Sequence, residues 1–97
     1  MVVFSGDVGG TRTRMQLTEF SATDKMKVVA NVHYDNSGYS SFLDIVDAFF
    51  AETKISADNV ASACFGIAGP VIKEKVNVTN LPWIISAKDI KKRLKLD

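Results

Sequence analysis

A short glycine-rich segment near the amino terminus constrains this chain more than any other feature. The apolar run Val2-Val3-Phe4 leads into Gly6-Asp7-Val8-Gly9-Gly10-Thr11, and Arg14 completes the pattern Asp-x-Gly-Gly-Thr-x-x-Arg. From Thr13 onward polar and apolar residues alternate, which predicts a second strand and not a helix. The segment therefore predicts a β-hairpin with a glycine turn and an acidic residue at the end of its first strand.

Such a hairpin suits the binding of nucleotide phosphates and their metal ion. Backbone amides and a hydroxyl in a glycine turn can face a phosphate, and Mg²⁺ prefers carboxylate oxygens as ligands. An ordinary hairpin turn is the alternative, because Gly-Gly is common between apolar strands. The spacing excludes the Walker loop Gly-x-x-x-x-Gly-Lys-Ser/Thr and the dinucleotide fingerprint Gly-x-Gly-x-x-Gly. Phosphoryl transfer is the leading hypothesis.

Length and composition exclude several other classes of protein. With 97 residues the chain is one domain at most, too small for a complete two-lobed enzyme. Its formal charge of +1 lacks the excess of basic residues that is typical of nucleic-acid-binding domains. Cys64 lies in an apolar run, which predicts a buried thiol. A single cysteine cannot form an internal disulfide, which fits a reducing cytoplasm. No apolar run approaches the roughly 20 residues of a membrane span, and no signal-peptide pattern is present, so we expect neither membrane nor nucleic-acid partners.

Hydrophobic periodicity predicts the order βββαβ, then a small hairpin and a C-terminal helix. The predicted strands are residues 2–8, 13–20, 27–34 and 60–68, the last a continuous apolar strand buried on both faces. The predicted helices run from Ser41 to about Thr53 and from Ser86 through Leu96, each with a capping box at its start. The small hairpin is predicted at 71–78 and a loop at 79–83.

This order indicates an α/β fold with a mixed sheet. Three antiparallel strands followed by a helical crossover to a parallel strand form the start of a ribonuclease H-like layout. The last helix has no strand after it, which indicates a truncated half-domain.

Three segments together resemble one known family. They are Gly6 to Arg14, Gly66-Ile67-Ala68-Gly69-Pro70-Val71, and Val78-Thr79-Asn80-Leu81-Pro82-Trp83-Ile84-Ile85-Ser86. In order and spacing they are similar to the N-terminal part of bacterial glucokinases, in the sugar-kinase, actin and heat-shock ATPase superfamily. The resemblance implies an actin-like ATPase half-domain, in which residues 1–97 form the N-terminal part of the small lobe and the remainder of the enzyme is absent.

The resemblance also implies a site for ATP and Mg²⁺ at residues 6–11. The implied cofactor-binding residues are Gly6, Asp7, Val8, Gly9, Gly10, Thr11 and Arg14. The amides and hydroxyl of Gly9, Gly10 and Thr11 would face the β- and γ-phosphates, and Asp7 would act on the metal ion through bound water. Arg14 would either add charge stabilisation or pair with an acid.

For the sugar, the resemblance implies contacts from Gly69, Pro70 and Asn80 on the wall of the cleft. The alternative for Asn80 is a turn residue that helps to place Pro82. No catalytic residue is assigned within the chain. In the family, an aspartate in an Asn-Asp pair takes the proton from the 6-hydroxyl of the sugar, and this base is expected beyond Asp97.

The implied activity of the full-length parent is ATP-dependent phosphorylation of glucose to glucose 6-phosphate, the first step of glycolysis. Its partners would be glucose and ATP, with a homodimer as one option, and the chain alone would be inactive. The alternatives are a ROK-type hexose kinase or sugar-responsive regulator, and a non-catalytic ATP- or sugar-binding module. A regulator would carry a DNA-reading helix-turn-helix ahead of the phosphate loop, and Met1 lies only five residues before Gly6.

Overall fold

A computed structural model describes residues 1–22, 25–67, 71–72, 75–78 and 83–96 of the chain. Its strands are β1 (Val2–Val8), β2 (Arg12–Phe20), β3 (Met26–Asp35), β4 (Val60–Ile67), β5 (Val71–Ile72), β6 (Lys75–Asn77) and β7 (Ile84–Ser86). Its α-helices are α1 (Phe42–Thr53) and α2 (Ala87–Leu94). Neither helix in this described part has the length and apolar character needed to cross a bilayer.

The main layer is a four-stranded mixed sheet in the order β3-β2-β1-β4. Strands β1, β2 and β3 are antiparallel to one another, and α1 connects β3 to β4, which lies parallel to β1. This arrangement confirms the predicted βββαβ order and the mixed sheet. It places the turn between β1 and β2 at the same end of the sheet as the C-terminal end of β4.

Helix α1 packs against one face of this sheet through apolar residues at helical spacing. The buried side chains of α1 are Phe42, Ile45, Val46 and Phe49. Phe4 of β1 is fully buried beneath them, with its ring centroid 5.3 Å from that of Phe49 and 5.2 Å from that of Phe65. Ser41 caps the helix by accepting a hydrogen bond from the Asp44 amide, as predicted. These aromatic contacts fix α1 on β1 and thereby hold the strand that leads into the turn.

Strand β4 contradicts the prediction that it is buried on both faces. It lies at an edge of the described sheet, and alternate residues along it are exposed. Ala63 and Phe65 pack on the core, whereas Cys64 faces the opposite side and is exposed, not buried. The prediction was wrong because α1 covers only one face of the sheet, and no described element covers the other.

The C-terminal part forms a second antiparallel sheet in the order β5-β6-β7, where only a hairpin and a loop were predicted. Strand β7 was missed because three residues are too few for a periodic signal. Helix α2 begins after Ser86 as predicted, but the Ser86 side chain, which is buried, makes no capping hydrogen bond. Ile90 and Leu94 are buried as predicted and join the main core.

A buried tyrosine ties β3 to α1. Tyr34 is 7% exposed, and its hydroxyl donates to Oε2 of Glu52 at 2.8 Å. Burial, and then the hydrogen bond to the carboxylate, raise the pKa of the Tyr34 phenol above its ordinary value of 10.0. The folded state therefore favours the neutral phenol.

This raised pKa predicts a loss of stability in alkali. The stabilising contribution is fully present below the ordinary tyrosine pKa and is lost as pH rises above it, because the unfolded chain then releases the proton first. From about pH 9 to about pH 11, we expect the free energy of unfolding to fall more steeply in the wild-type protein than in Tyr34→Phe. Urea titrations across that range measure both slopes, and parallel slopes would contradict the assignment.

Candidate functional site

The turn between β1 and β2 consists of Gly9, Gly10 and Thr11 at the surface. The Gly9 amide donates to the Arg12 carbonyl at 2.9 Å and closes the turn. This corrects the expectation for Gly9, because the hairpin itself uses the amide that was assigned to a phosphate. For the amides of Gly10 and Thr11, the structure records no hydrogen-bond partner among the described residues. These two donors are left for solvent or a ligand.

The turn glycines are not required for a left-handed backbone. No glycine in the described ranges has a positive φ. A Cβ atom added at Gly9 would lie 3.2 Å from the carbonyl oxygen of Arg12, so a side chain there would crowd the turn. Glycine thus leaves the main chain uncovered, which is what close approach of an anion to backbone amides requires.

Asp7 and Arg14 lie opposite each other on β1 and β2, next to the turn. Nη2 of Arg14 is 2.8 Å from Oδ2 of Asp7, and the two side chains are 35% and 69% exposed, respectively. Of the two roles considered for Arg14, the structure shows the pairing with an acid. An exposed pair contributes at most about 1 kcal/mol to stability, so its main consequence is the orientation of the Asp7 carboxylate.

Gly66 lies on the other side of Asp7, in register with it on β4. A Cβ atom at Gly66 would lie 3.0 Å from Oδ1 of Asp7. The carboxylate therefore lies between the guanidinium of Arg14 and the bare backbone of Gly66. Gly66 belongs to the second sequence motif, which predicted no role for it, and the structure shows that it makes room for the Asp7 side chain.

A network of polar side chains along the uncovered face of the sheet holds Arg14. Nη1 of Arg14 donates to Oε1 of Gln16 at 3.2 Å, and the same oxygen accepts from Nδ2 of Asn31 at 2.8 Å. Nε2 of Gln16 donates to the Thr18 hydroxyl at 3.0 Å. Gln16 and Asn31 belong to none of the sequence motifs, although the alternation of polar residues along β2 indicates a polar face.

The environment of Asp7 fits an oxygen ligand for Mg²⁺. Its carboxylate is exposed, and the structure records no donor to Oδ1 within the described ranges. Those ranges contain no group of three or more His, Cys, Asp or Glu residues that could hold a metal ion. A single exposed carboxylate fits Mg²⁺, which commonly keeps several waters and binds through one or two carboxylates plus phosphate oxygens.

The other predicted site residues fall into two groups. Gly6 and Val8 are buried in β1, directly before the turn, where they support it from the sheet. Gly69, Pro70 and Asn80, predicted to line the sugar cleft, lie outside the described residues.

Asn36, for which nothing was expected from the sequence, anchors the turn. It begins a short 3-10 helix after β3 and is 2% exposed. Its backbone amide donates to the Thr11 carbonyl at 2.9 Å, and Nδ2 donates to the Gly9 carbonyl at 2.8 Å. Oδ1 accepts from the Thr13 hydroxyl at 2.7 Å. An asparagine before Ser-Gly is typical of a turn, and its contacts with the hairpin had no signal in the sequence.

The fold is an α/β domain that is also found in a solved structure. The crystal structure of a glucokinase from an Antarctic psychrotroph matches with a TM-score of 0.82 at 23% identity. The match covers 98% of this chain and 30% of that chain. This match establishes the α/β fold.

Sequence comparison then gives the family. A family model described as Glucokinase matches residues 4–97, and the chain belongs to the glucokinase family. The glucokinase of Nostoc punctiforme is 30% identical over 93 residues, which cover 96% of this chain and 27% of the relative. The glucokinase of Caulobacter vibrioides is 31% identical over 81 residues, which cover 84% of this chain and 24% of the relative. The chain thus spans about a quarter of the length of these curated relatives.

Proposed function

We propose that the full-length protein carrying this chain transfers the γ-phosphoryl group of ATP to the 6-hydroxyl of glucose, giving glucose 6-phosphate and ADP. Membership of the glucokinase family supports this reaction. The observation that carries the proposal for this chain is the turn in which the Gly10 and Thr11 amides lack partners among the described residues, beside the exposed Asp7 carboxylate. In this proposal residues 1–97 are the N-terminal part of the small lobe.

The turn would bind the β- and γ-phosphates of ATP. The amides of Gly10 and Thr11 and the Thr11 hydroxyl donate hydrogen bonds to phosphate oxygens, where preorganised donors stabilise the charge of the transferring group. Gly9 contributes space and the closure of the turn, since its amide is bonded to Arg12. Buried Gly6 and Val8 hold the turn on the sheet.

Asp7 would hold Mg²⁺ through bound water, while its Oδ2 stays paired with Arg14. When bound, Mg²⁺ neutralises charge on the phosphate oxygens. Arg14 keeps the carboxylate oriented and adds positive charge near the phosphates. Gly66 supports this arrangement by leaving the space that the carboxylate occupies.

Gly69, Pro70 and Asn80 are proposed to line the sugar cleft and to bind sugar hydroxyls. The base that removes the proton from the 6-hydroxyl is proposed to belong to the part of the protein beyond Asp97. Phosphoryl transfer needs both substrates between two closing lobes, so the 97-residue chain alone is expected to release no ADP above a blank.

The cytoplasm is the proposed location of the full-length protein. Its proposed oligomeric state is a homodimer, which size-exclusion chromatography tests.

A coupled assay for ADP tests the proposed reaction. With ATP and Mg²⁺, the full-length protein is expected to release ADP at a rate that saturates with glucose. 6-Deoxyglucose, which lacks the attacked hydroxyl, is the matched control and should give no turnover. Absence of glucose-dependent ADP release would contradict the proposal.

A further inference from the structure

The position of Asn36 behind the turn gives it a role beyond holding the fold together. We propose that Asn36 is a positioning residue for ATP: it orients the Gly9–Gly10 peptide so that the Gly10 amide faces the bound phosphates. The inference rests on the proposed function, in which this turn binds the phosphates of ATP. Asn36 itself touches no substrate.

The contact between Asn36 and Gly9 fixes the direction of a peptide group. A carbonyl oxygen only accepts hydrogen bonds, so the side-chain nitrogen of Asn36 must face the Gly9 carbonyl, 2.8 Å away. The described peptide bonds are all trans, and in a trans peptide the C=O and the following N–H point in opposite directions. Because the Gly9 carbonyl points at Asn36, the Gly10 N–H points away from it.

A second contact holds the other side of Gly10. The backbone amide of Asn36 donates to the Thr11 carbonyl at 2.9 Å, so one residue holds the carbonyls of Gly9 and Thr11, which flank Gly10 in the chain. A donor that is already oriented needs no reorganisation when a ligand binds. The two contacts therefore preorganise the turn for an anion.

Asn36 is rigid enough for this role. It is 2% exposed, and its Oδ1 accepts a 2.7 Å hydrogen bond from the hydroxyl of Thr13, which is 0% exposed. No buried side-chain nitrogen or oxygen in the described residues lacks a hydrogen-bond partner. A buried polar network that is fully satisfied holds its members in one geometry.

The first test is Asn36→Ala in the full-length protein. The substitution removes the contact with the Gly9 carbonyl and keeps the backbone contact with Thr11. We expect the KM for ATP to rise about tenfold, because the donor loses its fixed direction, and the KM for glucose to stay within about twofold. Steady-state ADP release with each substrate varied in turn measures both constants.

Thr13→Val is the matched control for loss of structure. It removes the buried hydroxyl and its bond to Oδ1 of Asn36, but leaves the contact between Nδ2 and Gly9. Both variants should lower the Tm, because each leaves a buried polar group without its partner. We expect Thr13→Val to raise the KM for ATP clearly less than Asn36→Ala does, because it loosens Asn36 but keeps the donor to the Gly9 carbonyl, whereas a merely structural role would give an equal rise in both variants.

A second pair of variants separates the lost donor from an added charge. Asn36→Asp keeps the size of the side chain and the acceptor for Thr13, but a carboxylate cannot donate to the Gly9 carbonyl. Ser37→Asp places the same charge on the exposed neighbouring residue. We expect Asn36→Asp to raise the KM for ATP at least about tenfold and Ser37→Asp to change it less than about threefold.

A measurement on the wild-type protein complements the variants. On addition of ATP and Mg²⁺, the Gly10 amide resonance should shift, as expected for a new hydrogen bond. The inference is overturned by an unchanged Gly10 resonance, by a wild-type KM for ATP in folded Asn36 variants, or by an equal rise in Thr13→Val. If the wild-type protein shows no glucose-dependent ADP release, both the proposed function and this inference are wrong. If the wild-type protein is active and the Asn36 variants keep a wild-type KM for ATP, only this inference is wrong.

Discussion

Asp7→Asn is expected to lower the kcat of the full-length protein about 100-fold. The substitution keeps the shape of the side chain but removes the negative charge that we assign to the hydrated magnesium ion. It also removes the ionic partner of Arg14, whose Nη2 lies 2.8 Å from Oδ2 of Asp7. The KM for glucose should change little, because the sugar cleft is proposed to lie elsewhere. Steady-state ADP release with each substrate varied in turn measures both effects.

Asp58→Asn is a matched control for this substitution. Asp58 is an exposed carboxylate with 69% of its side chain accessible, the same as Asp7, and it lies 3.7 Å from Nζ of Lys95. Because this pair is remote from the turn, its loss should change kcat by less than about twofold. Raising the magnesium concentration should partly restore Asp7→Asn and have no effect on Asp58→Asn. A wild-type kcat in Asp7→Asn would contradict the proposal that Asp7 holds the magnesium ion.

Gly6→Ala is expected to destabilise the protein by about 3 kcal/mol. The added Cβ would lie 2.7 Å from the Arg14 carbonyl oxygen, 3.0 Å from Sδ of Met15 and 3.2 Å from Cδ1 of Phe65. The methionine side chain can shift, but the Arg14 carbonyl belongs to β2 and cannot retreat without disturbing its pairing with β1. The free energy of unfolding from urea titrations measures the loss.

Gly38→Ala provides the comparison, because it makes the same substitution where there is space. No heavy atom lies within 4 Å of a Cβ added at Gly38, which is exposed and has no positive φ. We expect its free energy of unfolding to stay within about 0.5 kcal/mol of the wild type. If Gly6→Ala were as stable as Gly38→Ala, the close packing of β1 against β2 and β4 would be wrong.

The elements that could be predicted from the sequence are those whose ends and apolar face are both marked by residues within or next to the element. Helix α1 combines a serine cap with five apolar residues at helical spacing, and it begins and ends where predicted. Strand β1 is bounded by the glycine turn and also matches its prediction. Strand β4 has an equally clear apolar run, but composition does not show which neighbours cover a strand, so the burial of Cys64 was predicted wrongly.

The same distinction applies to the candidate site. The glycine turn and the pairing of Asp7 with Arg14 follow from a hairpin whose two strands are adjacent in sequence. Gly66 and Asn36 reach the site only through tertiary structure: Gly66 through the parallel pairing of β4 with β1, and Asn36 across 27 residues to Gly9. Such contacts depend on strand register, which the periodicity of a single segment does not specify.

A crystal structure of the full-length protein with a non-hydrolysable ATP analogue, Mg²⁺ and glucose tests the central claim most directly. The account predicts β- and γ-phosphate oxygens about 3 Å from the amide nitrogens of Gly10 and Thr11, with the Asp7 carboxylate facing the metal ion. A triphosphate bound elsewhere in the protein, with the turn in contact only with solvent, would contradict it.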